Sequence, residues 1–426
     1  MLRLQSSDNV KSTLGRVRPN IVFTGGGTAG HVLPNLALIP HIRESFSEIH
    51  YVGSKEGIER RLVAEFNGEP QDVVWSATHT TQIAYHAIST GKIRRSLSPK
   101  SVLSNLMTPF RVLKGLREAN KILREIKPAV VFSKGGFVAY PVVRAAAKQG
   151  IAVILHESDL SLGLANRASL KYASIVLASF ERTARDLQGQ YPNKKILHVG
   201  SPIREELYKG SRGGGVKFLA IGENSSLHMG MGVRRNLLVM GGSLGASAIN
   251  KAVRESLGDL GRDWDILHVV GRGKMAKPQD MGESTTHTIQ DVVAMRDKGS
   301  PAVMGGGAYR QVEYLSGVGE MADALSWADV VLSRAGAGAV FEILALRKPS
   351  LLIPLATGRG DQIENAREVE SWGVARVLLE ENLNSIKLAK ELDEVWKNRE
   401  NLIKKMRALP KIDGAREVAT ILKDFV

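Results

Sequence analysis

The sequence contains no cysteine. That excludes disulfides, cysteine-ligated metals and thiol catalysis, and it fits a protein of a reducing compartment. Aromatic residues make up only 5% of the chain and form no stacking pattern, so nucleic-acid binding gains no support despite a formal net charge of +15. That charge would instead attract an anionic membrane surface or a phosphorylated substrate, or it reflects a basic composition and nothing more. No apolar run reaches the length of a membrane span. Residues 1–18, MLRLQSSDNVKSTLGRVR, lack the hydrophobic segment of a secretory signal and read as a loose polar extension. No cluster of His and Asp has metal-ligand spacing, so neither a metal nor another cofactor is expected. One formal D-x-D occurs, at Asp263 and Asp265. It precedes a strand, on the side away from any expected cleft, and reads as turn chemistry.

What is present is an ordinary globular composition, 43% hydrophobic and 24% charged over 426 residues, enough for two domains with real cores. Short apolar runs alternate with helical stretches: IVFT, IHYVG, AVVFS, IAVILHE, SIVLAS and KILHVG, then NLLVMGG, ILHVVG, VVLSRAG and SLLIPLA. The alternation predicts βα units and parallel sheets. Both halves open with a strand running into a glycine-rich turn, IVFTGGGTAGH and LLVMGGSLGA. The expected fold is therefore α/β, two Rossmann-like doubly wound domains facing a cleft, at residues 19–205 and 234–385. Residues 206–233, rich in Gly and Ser, read as the linker. Residues 271–308 lack periodicity and read as a mobile insertion; 386–426 read as helices. Ligands in such sheets bind beyond the carboxyl ends of the strands.

The first turn, TGGGTAGH, fits G-x-G-x-x-G, the pyrophosphate grip of dinucleotide enzymes. Such a site also needs an acidic residue at the end of the second strand. That strand ends at Gly53-Ser54, so the partner is missing. The turn instead ends in His31, placed to face the cleft at the start of a helix. The alternative is a tight strand-to-helix turn with a capping histidine.

Five separated stretches, GGGTAGHVLPNLAL, KGGFVAYPVVRAAAKQGIAVILHESDLSLGLANR, GSPIRE, VMGGSLGASAIN and SRAGAGAVFEILALRKPSLLIPL…RGDQIENA, fall in an order that resembles the MurG family. The resemblance spans roughly residues 19–205 and 234–385. It implies a GT-B fold and inverting transfer of N-acetylglucosamine from UDP-N-acetylglucosamine to the lipid I acceptor, giving lipid II for peptidoglycan. It also implies peripheral attachment to the cytoplasmic face of the bacterial plasma membrane.

The resemblance assigns roles residue by residue. Glu342 would hold the donor ribose, the alternative being a helix-dipole carboxylate. Ala337, Gly338, Ala339 and Val340 would line the adjoining turn, whose free N–H groups can meet a pyrophosphate. Ser243 and Arg204 would approach the donor phosphates; an N-cap serine and an interdomain salt bridge are the competing roles. Leu315 would meet the uracil edge through its backbone. Asp361 and Gln362 stand where the family carries paired glutamines for the sugar, with Asn365 one turn on. Thr28, Ala29 and Gly30 would face the donor. Asp159 occupies the place of a donor-contacting asparagine, and Ser158 and Asp159 depart from the family's His-Glu-Gln-Asn. Gly26 and Gly27, with Gly135 and Gly136, would receive the acceptor pyrophosphate. His31 and Glu157 are the two candidates for the base that deprotonates the acceptor hydroxyl, and His156 is either part of the site or a structural cap.

Residues 83–121 mix Lys92, Arg94, Arg95, Lys100, Arg111 and Lys114 with Leu103, Leu106, Met107, Phe110 and Leu113. That mixture suits an anionic interface; an amphipathic helix packed inward is the alternative. Residues 71–86 look inserted relative to the family. Three other functions stay open: a glycosyltransferase with a different glycolipid acceptor, a UDP-N-acetylglucosamine epimerase, and a non-catalytic nucleotide-sugar-binding relative.

Overall fold

The computed structural model describes residues 18–68, 82–91, 108–219, 234–242, 246–276, 302–304, 307–315, 317–410 and 413–426. The extension before residue 18, the Lys92–Met107 part of the basic stretch, Ser243 and most of the 271–308 segment lie outside these residues.

Seven strands form the first sheet: β1 (Ile21–Thr24), β2 (Ile49–Ser54), β3 (Ile83–Ile88), β4 (Val130–Ser133), β5 (Ala152–Glu157), β6 (Ile175–Ala178) and β7 (Lys195–His198). All pair in parallel, in the order β3-β2-β1-β4-β5-β6-β7. The second sheet uses β8 (Arg235–Met240), β9 (Trp264–Val269), β10 (Ala302–Met304), β11 (Gly307–Val312), β12 (Val330–Ser333), β13 (Ser350–Leu352) and β14 (Arg376–Val377), in the order β10-β11-β9-β8-β12-β13-β14. Here only the β10–β11 pair is antiparallel.

Side-chain alternation explains the layering. Ile21 and Phe23 of β1 join one apolar cluster while Val22 joins another on the opposite face. Successive strand side chains point to opposite faces, and a sheet covered by helices on both faces needs apolar residues at every position. Hence IVFT reads as a continuous run and is fully buried.

The order reverses at β1/β4 in the first sheet and at β8/β12 in the second. These are the switch points where the loops diverge and a crevice opens. The glycine turn after β1 and the Lys134-Gly135-Gly136 turn after β4 are therefore neighbours.

The C-terminal helices divide between the halves. Ser385–Lys397 and Arg399–Ala408 cover the second sheet through Leu388, Leu392, Val395, Leu402 and Met406. Helix Gly414–Lys423 returns to the first sheet and packs on helix Leu33–Ile42. Its Val418 and Leu422 are fully buried there, each worth about 1.5–3 kcal/mol. That crossing strap ties the two halves together.

Three sequence expectations are corrected. Residues 83–88, read from sequence as part of an insertion and of a basic, apolar stretch, are β3, the edge of the first sheet. Their mixed burial comes from an edge position, which blurs the apolar signal. Residues 302–304 and 307–312 form a hairpin, with β11 pairing β9 in parallel, so this part of the supposed insertion is sheet. The Gly/Ser-rich 206–233 stretch begins as structure: Leu207 is buried, and Arg212–Leu219 is a helix against Val318–Trp327. Its glycines permit the approach, since a Cβ on Gly215 would collide with Trp327.

Candidate active site

The first glycine turn is braced from below. Tyr51 donates its hydroxyl to the Gly25 carbonyl at 2.8 Å. Glu59, fully buried, accepts from the Gly27 N–H at 3.2 Å and from the Ser54 N–H at 3.0 Å. A Cβ on Gly26 would strike that carboxyl group. Gly27 has φ +88° and Gly136 +81°, left-handed values that favour glycine. A Cβ on Gly136 would meet the Gly26 carbonyl oxygen, so the two turns touch. The structure thus brings Gly26, Gly27, Gly135 and Gly136 together. It also commits the Gly27 N–H to Glu59 and the Gly135 N–H to Ser133 Oγ, each at 3.2 Å.

His31 ends the short 3-10 turn Ala29–His31, just before helix Leu33–Ile42. It is half-buried, and Thr28 Oγ1 lies 3.0 Å from its Nδ1. Burial lowers its pKa below 6.5, Asp159 pulls it back up, and Lys134 and Arg359 push it down again. His31, Asp159, Lys134 and Arg359 therefore share one electrostatic neighbourhood, drawn from both halves of the molecule.

Glu157 is also there, but its carboxylate is occupied. Oε1 accepts from the N–H groups of Ser158 (2.9 Å) and Asp159 (3.1 Å); Oε2 accepts from the Gly163 N–H (2.8 Å) and Asn166 Nδ2 (3.0 Å). Burial and Asp159 raise its pKa, while these hydrogen bonds oppose the rise. The arrangement makes Glu157 the organiser of the 158–163 loop. His156 is fully buried behind it, with Nε2 3.2 Å from the Gly200 carbonyl, which is a structural position.

That loop reaches across to the second half. Asn365 Oδ1 accepts from the Leu160 N–H at 2.8 Å, and its Nδ2 donates to Asp159 Oδ1 at 2.9 Å and to the Ala335 carbonyl at 3.2 Å. Asn365 is fully buried and all its polar atoms are engaged, so in this arrangement it serves the interface rather than a sugar hydroxyl. Asp361 accepts from Ser161 Oγ at 2.9 Å and pairs with Arg359 at 2.9 Å. The aspartate that departs from the family's glutamine is thus neutralised by the arginine two residues before it. Gln362 accepts from the Leu355 N–H at 3.0 Å.

On the donor side, helix Ala337–Ala345 follows β12 with Gly336 as its cap. The first N–H groups of a helix have no intrahelical partner. Ala337 and Val340 are buried in the core, so only their backbone can serve a ligand, while Gly338 and Ala339 are half-buried. Glu342 Oε1 accepts from Arg204 Nη2 at 3.0 Å, an ion pair between the two halves. The buried Nε–H of Arg204 has no partner among the described residues. Leu315 lies just beyond β11 and packs partly on the second core. Thr28 and Gly30 are exposed, Ala29 half-buried.

Two residues escaped the sequence reading. Lys134, 1% exposed, directly follows β4; a lysine beside two glycines gives no periodic signal. Arg359, inside RGDQ, was passed over for its neighbours, yet it donates to the Leu162 carbonyl at 3.3 Å as well as to Asp361. The D-x-D is committed elsewhere: Asp265, at the amino end of β9, pairs with Arg234 at 2.9 Å and accepts from the Ala308 N–H at 2.9 Å. Turnover should accordingly survive EDTA, and Asp263→Asn should keep most of it. Complete loss on chelation, restored by manganese or magnesium, would contradict that reading.

Comparison with known proteins adds the family. Residues 21–178 match the glycosyltransferase family 28 N-terminal domain and residues 236–422 its C-terminal domain. The chain is 39% identical over 407 residues to UDP-N-acetylglucosamine–N-acetylmuramyl-(pentapeptide) pyrophosphoryl-undecaprenol N-acetylglucosamine transferase 2 of Bacillus cereus, covering 95% of this chain and 98% of that one. It is 40% identical over 406 residues to the corresponding transferase of Lachnoclostridium phytofermentans, with the same coverage. In fold it is similar to MurG of Acinetobacter baumannii, at a TM-score of 0.64, 21% identity and coverage of 95% and 99%. It is also similar in fold to a UDP-GlcNAc 2-epimerase of Neisseria meningitidis, at a TM-score of 0.58, 13% identity and coverage of 95% and 98%. The fold alone therefore does not separate transferase from epimerase, but the near full-length identity to the named transferases does: the chain belongs to the MurG family, within glycosyltransferase family 28.

Proposed function

We propose that this chain transfers N-acetylglucosamine from UDP-N-acetylglucosamine to the muramic acid 4-hydroxyl of undecaprenyl-pyrophosphoryl-MurNAc-pentapeptide, turning lipid I into lipid II. The observation that carries the reading is identity to transferases of that name over 95% of the chain. The donor would lie along helix Ala337–Ala345. Its ribose would exchange with Arg204 for the Glu342 carboxylate. Its pyrophosphate would meet the helix N–H groups and the free Nε–H of Arg204, and Arg359 would add a cation beside the departing UDP. Gln362 would face the sugar. The acceptor pyrophosphate would rest on the 135–136 turn. His31 would take the proton: its lowered pKa keeps the ring unprotonated at pH 7 and able to act as the base. The hydroxyl oxygen then attacks the anomeric carbon from the face opposite UDP, and the configuration inverts.

UDP release tests the reaction class. Release should require the lipid acceptor, whereas an epimerase would convert UDP-N-acetylglucosamine without one. Acceptor-independent conversion to a UDP-sugar isomer would reverse the assignment.

We also propose peripheral attachment to an anionic membrane. Support comes from helix Thr108–Ile126, which buries Gly115, Ala119 and Leu123 but exposes Phe110 (68%) and Leu113 (46%) beside Arg111 and Lys114. These apolar side chains do not pack inward. Vesicle binding should weaken with salt, because attraction is screened beyond roughly 8–10 Å at physiological ionic strength. Phe110→Ser with Leu113→Ser, or neutralising Arg94, Arg95 and Lys100 together, should lower binding in a vesicle co-sedimentation assay. Unaltered binding in both variants would place the interface elsewhere.

A further inference from the structure

Lys134 is a buried cation that none of the steps above uses. It stands at the switch point of the first sheet, its N–H bonded to the Thr24 carbonyl at 3.0 Å, so its backbone is fixed by β1. Its ammonium group donates to Ser158 Oγ and lies against His156 Nδ1, both at 2.5 Å. His156 donates its other ring N–H to the Gly200 carbonyl, which leaves Nδ1 as an acceptor for the lysine. Four charged or titratable groups face the ammonium without bonding it. Glu157 and Asp159 favour its charge, while His31 and Arg359 belong to the same neighbourhood. Ser158 and Asp159 are consecutive residues whose N–H groups both end on the Glu157 carboxylate. One residue bonds the buried lysine, and the next supplies the carboxylate that balances it and holds Asn365 across the cleft.

We propose that Lys134 is a positioning residue of the transfer reaction, acting with Ser158 and Asp159 as one unit. The ammonium anchors the 158–159 turn, the turn aims the Asp159 carboxylate between His31 and Asn365, and the two halves of the site are held in register. The proposal rests on the transferase reading, and it explains why a carboxylate is tolerated where a nucleotide-sugar is expected: it arrives with its own counter-charge. Removing one charge alone leaves the other without its counter-charge, whereas removing both restores neutrality. Burial draws Lys134 down to about 7, with Glu157 and Asp159 opposing the fall. Its supporting charge is therefore present below that pH and lost above it.

The test uses the full-length protein with UDP-N-acetylglucosamine and a lipid I analogue. Lys134→Met, similar in length but neutral, should lower kcat by about 10²-fold, the effect of a small misplacement of reacting groups, with donor KM changed far less. Lys134→Met/Asp159→Asn should recover at least about tenfold of that loss. Lys134→Arg keeps the charge at every accessible pH, so the alkaline limb of kcat near neutrality should move upward by more than one unit. This arm stays readable if Lys134→Met fails to fold. A folded Lys134→Met with near wild-type kcat, a double variant no better than the single, or a Lys134→Arg profile identical to wild type would each overturn the proposal. An inactive wild type would instead overturn the transferase reading, which keeps the two failures distinct.

Discussion

His31→Ala is expected to keep the fold and nearly normal affinity for UDP-N-acetylglucosamine, and to lose at least about 10²-fold in kcat with the lipid acceptor. The side chain is half-buried at the end of a 3-10 turn and carries no core contact that folding needs. Its pKa lies below 6.5 because burial, Lys134 and Arg359 disfavour the imidazolium more than Asp159 favours it. The neutral form is therefore dominant at pH 7. As pH falls through the lowered pKa the ring gains a proton and ceases to be a base, so kcat should drop on the acid side. His31→Ala should flatten that limb. Glu157→Ala is the control, and it too should lose activity, because three hydrogen bonds of the 158–163 loop and one from Asn166 end on that carboxylate. The residual activity of Glu157→Ala should nonetheless keep the acid limb. If Glu157→Ala abolishes the limb while His31→Ala retains both limb and turnover, the base is Glu157 and the histidine only shapes the turn.

Glu342→Ala should raise the KM for UDP-N-acetylglucosamine about 5- to 150-fold, the equivalent of about 1–3 kcal/mol of lost hydrogen bonding to the ribose. The carboxylate is held by Arg204 at 3.0 Å and is largely shielded from solvent. Removing it therefore also leaves a guanidinium unpaired, and Glu342→Ala/Arg204→Ala should weaken donor binding by less than the two single changes added together if the residues act as one unit. Titration calorimetry with UDP reads the effect without turnover. A folded Glu342→Ala that binds UDP as tightly as wild type would remove Glu342 from the donor site.

Periodicity made the strands visible wherever both faces are buried. IVFT, VVFS and VVLS read correctly because nothing in a doubly covered parallel sheet interrupts the apolar run. The edges did not announce themselves: β3 is buried only at its two ends, and β10 and β11 sit in a segment whose local composition resembles a loop. At the site, the glycine turns and the place of His31 ahead of a helix were legible because turn geometry is local. The partnerships were not. Asn365 with Leu160 and Asp159, Asp361 with Ser161 and Arg359, and Lys134 with Ser158 join residues 24 to 206 positions apart or pair neighbours in ways that spacing does not encode. From sequence alone, Asp159 and Asp361 read as carboxylates standing where the resemblance implies amides. In the folded chain each has a cation nearby that makes it tolerable.

The most direct measurement is the mass and linkage of the product formed from radiolabelled UDP-N-acetylglucosamine and a lipid I analogue. The predicted result is a lipid-linked disaccharide heavier by one N-acetylglucosamine, joined through the muramic acid 4-hydroxyl with inverted configuration, and one UDP released per product. Label that stays with the nucleotide, appears in a UDP-sugar isomer, or reaches a different glycolipid while lipid I is left untouched would contradict it.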